Sequence, residues 1–197
     1  MEGVVMRSPM MYFSAFLLAL FLAPAPAVAQ SVTIISNGQD ARACSRAAES
    51  AAMFQFTSRE DLDTCTRALD YGNLKTRDEA GTYVNRGIVA TTLGKYQDAF
   101  ADYHQAMEIM PDLPEAYIGR GNLYFLAEKF DKAIEDYSKA LELNISKDHI
   151  AHFNRGMAYE KLGDFKDAEQ NYRRALEIAP EWPLAQKKLD HLLAKHQ

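Results

Sequence analysis

The apolar and small residues between positions 80 and 111 follow the spacing of two successive helix faces. The first face consists of Tyr83, Gly87 and Ala90, and the second of Tyr96, Ala99, Tyr103 and Ala106. Steps of three, four and seven residues are typical of one side of an α-helix. Leu93 and Gly94 lie between the two faces and predict the end of the first helix. The pattern therefore predicts a pair of helices joined by a tight turn.

This helix pair is repeated twice more along the chain. Ala99 is followed by Ala133 after 34 residues, and by Ala168 after another 35. A single pair cannot bury its own apolar face, so copies of this kind stack into a solenoid. The sequence thus predicts an all-α protein, a helical-hairpin solenoid with copies at residues 80–113, 114–148 and 149–182.

The repeated frame resembles the tetratricopeptide repeat. Its small, aromatic and proline positions are filled in register, in the first copy by Gly87, Ala99, Tyr103, Ala106 and Pro111. The resemblance implies a right-handed superhelix of stacked hairpins. The second copy departs from the frame at Glu128, which stands where the turn glycine is expected, and this predicts a looser second turn.

The segments on either side of the three copies are expected to complete the helical array. Residues 41–79 predict a further hairpin and a polar linker, with Ser58 and Asp61 as a capping box at the second helix. Residues 183–197 predict a capping helix that covers the last copy. Cys44 and Cys65 fall on facing stripes of the first hairpin and predict a disulfide in an exported chain. Two buried free thiols are the alternative.

The first 29 residues have the pattern of a signal peptide. The apolar run from Met10 to Ala23 is shorter than the roughly 20 residues of a membrane span. The triplet at 27–29, Ala-Val-Ala, fits a cleavage site, with an uncleaved anchor as the alternative. We therefore expect export, first to a bacterial periplasm and second to the medium, with no stable membrane span after cleavage. Residues 30–40 predict a flexible leader.

Charge and motifs narrow the class of function. The net charge of −5 is spread along the chain, and clustered Lys and Arg, as in nucleic-acid-binding proteins, are absent. The sequence contains none of the common catalytic or phosphate-binding motifs. His149 and His152 are three residues apart and suggest a metal-binding or enzymatic protein, but His152 occupies an aromatic packing position. We expect no enzyme activity, no cofactor and no metal.

An arginine precedes the close-packed glycine in each copy, at Arg86, Arg120 and Arg155. In the second helix of each copy the residue before the tyrosine is Asp102, Asp136 and Asn171, respectively. A partly buried arginine needs an acceptor, and a carboxylate forms charge-assisted hydrogen bonds with it. We therefore expect Arg86 to pair with Asp102 and Arg120 with Asp136. The alternative is that the arginines extend into water.

The resemblance also implies a binding surface on the first helix of each copy. The candidate partner-binding groove consists of Val84, Ile88, Ile118, Asn122, Phe125, Phe153 and Met157. This set is mostly apolar and lacks the Lys and Arg with which family members bind a partner's C-terminal carboxylate. An exposed apolar strip favours a protein or peptide partner, with Phe125 and Phe153 as anchors.

Three alternatives to this groove remain open. In the first, the capping helix or the N-terminal hairpin covers the strip. In the second, the contact with the partner lies on the convex face, around Lys132, Lys139 and Lys166. In the third, the protein is a structural subunit of a cell-envelope complex, in which the outer face also binds.

Overall fold

The computed structural model describes residues 38–195, which form nine α-helices and no strand. The helices are α1 Gln39–Phe54, α2 Arg59–Tyr71, α3 Thr76–Thr92, α4 Tyr96–Ile109, α5 Pro114–Leu126, α6 Phe130–Glu142, α7 Asp148–Leu162, α8 Phe165–Ile178 and α9 Pro183–Lys195. The predicted signal peptide and most of the leader lie outside the described residues. Helix α1 starts inside the segment assigned to the leader, and α3 starts inside the segment assigned to the linker.

The helices pack in consecutive pairs, each pair against the next. Short turns join α1 to α2, α3 to α4, α5 to α6 and α7 to α8, and α9 packs on α8. Short connections of this kind make neighbouring helices antiparallel. The predicted all-α solenoid with a terminal helix is confirmed. None of the helices within residues 38–195 combines the length and hydropathy needed to cross a membrane.

In each of the three copies, a buried tyrosine ring on the second helix packs on a glycine of the first helix. The ring of Tyr103 is 1% exposed and lies against Gly87 of its own pair and Gly119 of the next. A Cβ atom at either glycine would overlap the ring, so only glycine lets the helices approach this closely. The equivalent contacts in the later copies are Tyr137 with Gly121 and Tyr172 with Gly156.

The turn inside each copy has the same conformation in all three. Gly94 and Gly163 have φ angles of 74° and 86°, and Glu128 has a φ of 57°. The amide of Lys129 donates to the carbonyl of Tyr124 at 2.8 Å, as in the first copy. The prediction of a looser second turn is therefore wrong. Glu128 keeps the left-handed conformation at a cost of roughly 1 kcal/mol.

The N-terminal hairpin contains the predicted disulfide and the predicted capping box. Cys44 and Cys65 are bonded, with Cα atoms 4.7 Å apart, and both are fully buried. The amide of Ser58 donates to the carboxylate of Asp61 at 2.8 Å, and the amide of Asp61 donates to the Ser58 hydroxyl at 3.2 Å. The bond ties α1 to α2 midway along both helices.

Removing this disulfide should destabilise the hairpin and α1 in particular. We expect Cys44→Ala with Cys65→Ala to lower the free energy of unfolding by about 3 kcal/mol, because a loop of this size loses its constraint in the unfolded chain. Urea denaturation of the oxidised protein and the variant measures the difference. Reduced wild-type protein is the control and should unfold at the variant's midpoint. Equal midpoints for the oxidised protein and the variant would contradict the bond.

Candidate functional site

The first helices of the three copies, α3, α5 and α7, pack side by side along the stack. Six of the seven predicted groove residues on these helices are nevertheless buried. Their exposed fractions are 0% for Val84, 1% for Ile88, 1% for Ile118, 2% for Asn122, 1% for Phe153 and 7% for Met157. Only Phe125 is half-exposed. The prediction of an exposed apolar strip is therefore wrong, although a role in binding is not decided by burial alone.

Helix α1 covers the inner side of α3. Val84 and Ile88 belong to one apolar cluster with residues of α1, namely Ala47, Ala48 and Ala51. Alanine side chains are small, so α1 can lie close to α3 along its length. The sequence indicates the N-terminal hairpin as one of two elements that would cover the apolar strip, and this hairpin does bury Val84 and Ile88.

Helix α9 and the residue before it cover the inner side of α7. The rings of Phe153 and Trp182 have their centroids 4.7 Å apart. Phe153 and Met157 share a cluster with Leu189 and Leu192 of α9. The capping helix therefore buries the α7 end of the predicted groove. Phe153 is not exposed there as an anchor for a partner.

A partly buried carboxylate ties α9 to the last copy. Glu160 of α7 accepts hydrogen bonds from the hydroxyl of Tyr172 and, at 3.1 Å, from the ammonium group of Lys188. Burial acts to raise the pKa of Glu160, but these hydrogen bonds outweigh it and the pKa lies below its ordinary value. Its contribution to stability is present at neutral pH and is lost as the pH falls through the lowered pKa.

Between the two covered ends, the middle helix α5 retains accessible side chains. We call Glu115, Phe125 and Leu126 the α5 face. Leu126 is 43% exposed, and the other two are half-exposed. Leu126 follows Glu115 by eleven residues, close to three full turns, so both lie on one side of the helix. The predicted groove did not include Leu126, although its spacing of eleven residues from Glu115 indicates that the two share one side of the helix.

Burial also changes the chemistry of the α5 face. Loss of water around Glu115 raises the pKa of its carboxyl group. The Phe125 ring lies edge-on to Phe130, with centroids 5.4 Å apart, and so keeps a fixed orientation. The face offers one acidic group at the start of α5 and two large apolar side chains at its end.

Asn122 is buried and forms hydrogen bonds within the fold. Its side-chain oxygen accepts from the Tyr137 hydroxyl at 2.9 Å and from the Asn154 amide at 3.1 Å. These bonds join α5 to α6 and α7. Among residues 38–195, the side-chain nitrogen of Asn122 has no acceptor, which costs about 1–3 kcal/mol for a buried group.

The repeated arginines form the predicted pairs. Nη2 of Arg86 lies 2.7 Å from Oδ1 of Asp102, and Nη2 of Arg120 lies 2.8 Å from Oδ1 of Asp136. Both pairs join the first helix of a copy to its second helix. The hydrogen bond that Arg120 donates to Asp136 raises the pKa of Arg120 and keeps it charged.

The two histidines do not converge on one point. The ring of His149 packs edge-on to Trp182 with centroids 5.4 Å apart, and Nδ1 of His152 lies 3.4 Å from the side-chain oxygen of Asn171. Burial lowers the pKa of both imidazoles. Within the described part of the chain, no three His, Cys, Asp or Glu side chains are grouped so that they could hold a metal ion.

Sequence comparison gives one clear result. The family model described as Tetratricopeptide repeat matches residues 78–146 and, in an overlapping match, residues 112–181. Together the two matches cover more than half of the chain. No curated protein sequence matches it.

Several solved structures are similar to this chain. The first TPR of Spaghetti (RPAP3), bound to the HSP90 peptide SRMEEVD, is 28% identical with a TM-score of 0.58, over 60% of this chain and 94% of that one. The first TPR domain of human RPAP3 is 29% identical with a TM-score of 0.56, over 58% and 90%. MamA from Desulfovibrio magneticus is 16% identical with a TM-score of 0.63, over 81% and 86%, which shows a common fold alone.

Proposed function

Because this chain belongs to the tetratricopeptide repeat family, we propose that it is a non-enzymatic module that binds a peptide segment of another protein. The relative that was solved with a bound HSP90 peptide has the same stacked hairpins and supports peptide binding. We assign the contact to the α5 face, since α1 and α9 cover the inner sides of α3 and α7. This accessible stretch of the middle helix is the observation on which the proposal rests.

The chemistry of the α5 face suggests what the segment looks like. Phe125 and Leu126 favour an apolar anchor side chain, because covering them removes apolar surface from water at roughly 25 cal/mol per Å². Glu115 favours a cation or a backbone amide about five residues away from that anchor, because it lies roughly 16 Å from Leu126 along α5. The sequence SRMEEVD carries two glutamates and an aspartate, so an acidic peptide of that type is not the expected ligand. Specificity therefore differs from that of the peptide-bound relative.

The test compares two leucines of similar exposure. Peptides selected from a displayed random library serve as probes, and they should carry an apolar residue about five positions from Lys or Arg. We expect Leu126→Ser to weaken the selected peptides about tenfold, roughly 1.4 kcal/mol. Leu162→Ser is the matched control, since Leu162 is 40% exposed at the end of α7, and it should leave binding unchanged.

Charge reversal provides the second arm of the same experiment. Glu115→Lys should reduce binding of the basic peptides and leave the fold intact, because the carboxylate is only partly buried. Unchanged peptide affinity in both Leu126→Ser and Glu115→Lys would rule out the α5 face.

A second candidate function rests on the end of α1 and the turn that follows it. Met53, Phe54 and Phe56 are 64%, 71% and 71% exposed, which is unusual for large apolar side chains and marks a contact surface. This favours a structural subunit of a larger complex, as in the cell envelope. Size-exclusion chromatography of native extract distinguishes the two functions. A large assembly that survives Leu126→Ser supports the second.

We also propose that the protein is exported. The Ala-Val-Ala triplet at residues 27–29 and the Cys44–Cys65 disulfide support this, since disulfides persist in oxidising compartments. N-terminal sequencing of the processed protein tests it and should begin at Gln30. A protein that retains residues 1–29 in the soluble fraction would argue against export.

A further inference from the structure

The third copy has the repeated arginine but lacks its carboxylate. Arg86 and Arg120 each face an aspartate, whereas Arg155 faces Asn171. Among the described residues, no carboxylate lies within ion-pair distance of the Arg155 guanidinium. One of three equivalent sites thus carries a cation without the anion that the other two hold.

The hydrogen bonds show what is missing. In the second copy, Nε and Nη2 of Arg120 donate to the two carboxylate oxygens of Asp136, both at 2.8 Å. In the third copy, Nε of Arg155 donates to the side-chain oxygen of Asn171 at 2.9 Å. The other atom of that amide is a nitrogen, which donates to the carbonyl of Asp167 at 2.8 Å. An amide nitrogen cannot accept, so Nη2 of Arg155 finds no acceptor among residues 38–195.

An open cavity lies next to this guanidinium. It has a volume of about 530 Å³ and lies between α7 and α8. Its lining includes His152, Arg155, Asp167, Arg173, Arg174 and Glu177. With three arginines and two acidic residues, the lining carries a charge of +1 while His152 is neutral.

Two of the three arginines are already paired on the surface. Nε of Arg173 lies 2.8 Å from Oε1 of Glu169, and Nη1 of Arg174 lies 2.8 Å from Oε2 of Glu177. These pairs leave Arg155 and Asp167, which are not within ion-pair distance of each other, and Arg155 also donates through Nη1 to Ser138 at 2.9 Å. Burial lowers the pKa of Arg155, in keeping with a cation that is short of a counter-charge.

We propose that this cavity binds the carboxylate of an acidic side chain from a partner protein. The ligand oxygen would take the place that the second aspartate oxygen occupies in the earlier copies and would accept from Nη2 of Arg155. A single carboxylate supplies the two-oxygen acceptor that Asp102 and Asp136 give to the equivalent arginines. A phosphate dianion would face Asp167 and Glu177 with one charge in excess, so we favour the carboxylate.

The cavity is independent of the α5 face. His152 and Arg155 follow Ile150 and Phe153 by two residues, which is about 200° around a helix, so they lie on the opposite side of α7. The site therefore lies on the side of α7 that faces α8. Loss of peptide binding at α5 would leave this site unaffected. Peptide binding at the α5 face and carboxylate binding at Arg155 can therefore be disproved independently.

The experiment follows the Nε–H resonance of Arg155 by ¹⁵N NMR in the full protein. Titrants are acetate, the peptide acetyl-Gly-Glu-Gly-amide, inorganic phosphate and chloride, at constant ionic strength. Acetate and the peptide should give a saturable shift and raise the pKa of His152, whose other charged neighbours are Asp148 and Arg174. Chloride should give none.

The sharpest variant restores the pattern of the earlier copies. Asn171→Asp supplies an internal carboxylate, and the fold accepts aspartate at this place in two copies, so the variant is expected to fold. Acetate and peptide affinity should fall at least tenfold. Gln97→Glu adds the same charge at an exposed position of α4 and should bind like wild type.

Each other outcome overturns the proposal. Equal binding by Asn171→Asp and wild type would mean that Arg155 is not the receptor. Shifts of equal size with chloride would show non-specific ion association, and tighter binding of phosphate than of acetate would exclude the carboxylate as the preferred ligand. A wild-type resonance that no titrant moves would exclude the site.

Discussion

Replacing Tyr103 with alanine should lower the free energy of unfolding by about 4 kcal/mol. The ring is 1% exposed and fills the space between Gly87 and Gly119, which belong to adjacent copies. Alanine would leave a cavity on both sides, and two glycine backbones cannot move into it without breaking helix packing. The loss therefore affects the contact within one copy and the contact between two.

The matched control is a tyrosine on the same helix. Tyr96 is 52% exposed at the start of α4, and Tyr96→Ala should change stability by less than about 0.5 kcal/mol. Urea denaturation followed by circular dichroism measures both variants. Similar midpoints for the two would mean that the ring of Tyr103 is not enclosed by glycines as the structure has it.

Phe153→Ala should also cost about 4 kcal/mol, because the side chain is 1% exposed and packs on Trp182 and Tyr172. An exposed groove residue would cost far less, so this variant separates the buried arrangement from the exposed strip that the sequence predicts. Trp182 is the single tryptophan of the chain. Its fluorescence should shift to longer wavelength when the ring beside it is removed.

Phe54→Ala is the control for this second prediction. Phe54 is 71% exposed, so its loss removes the same atoms without leaving a cavity. We expect its urea midpoint and its tryptophan emission to match wild type. A Phe153→Ala protein that behaves like Phe54→Ala would show that α9 does not cover α7.

Much of the fold could be predicted because its determinants are local. The positions of Gly87, Ala99 and Tyr103 fix which sides of two successive helices meet, and a short turn fixes their direction. The Arg86–Asp102 and Arg120–Asp136 pairs follow from the same register. Spacing within one copy therefore carries both the architecture and the contacts inside each hairpin.

The candidate site could not be predicted in the same way. Whether Val84 and Phe153 meet water depends on α1 and α9, which are distant in the sequence and do not share the repeat frame. One signal was available in α3, where Val84, Ile88 and Val89 place apolar side chains on more than one side. A helix that is apolar on several sides is generally buried.

The length of α5 sets a limit on the length of the segment that the α5 face can contact. Helix α5 has 13 residues and is therefore roughly 20 Å long. An extended peptide advances by roughly 3.3 Å per residue, so a segment that runs along α5 meets it over about six residues. The exposed middle helix is thus matched in size to a short linear motif, and the further residues of a longer ligand would extend past the ends of α5.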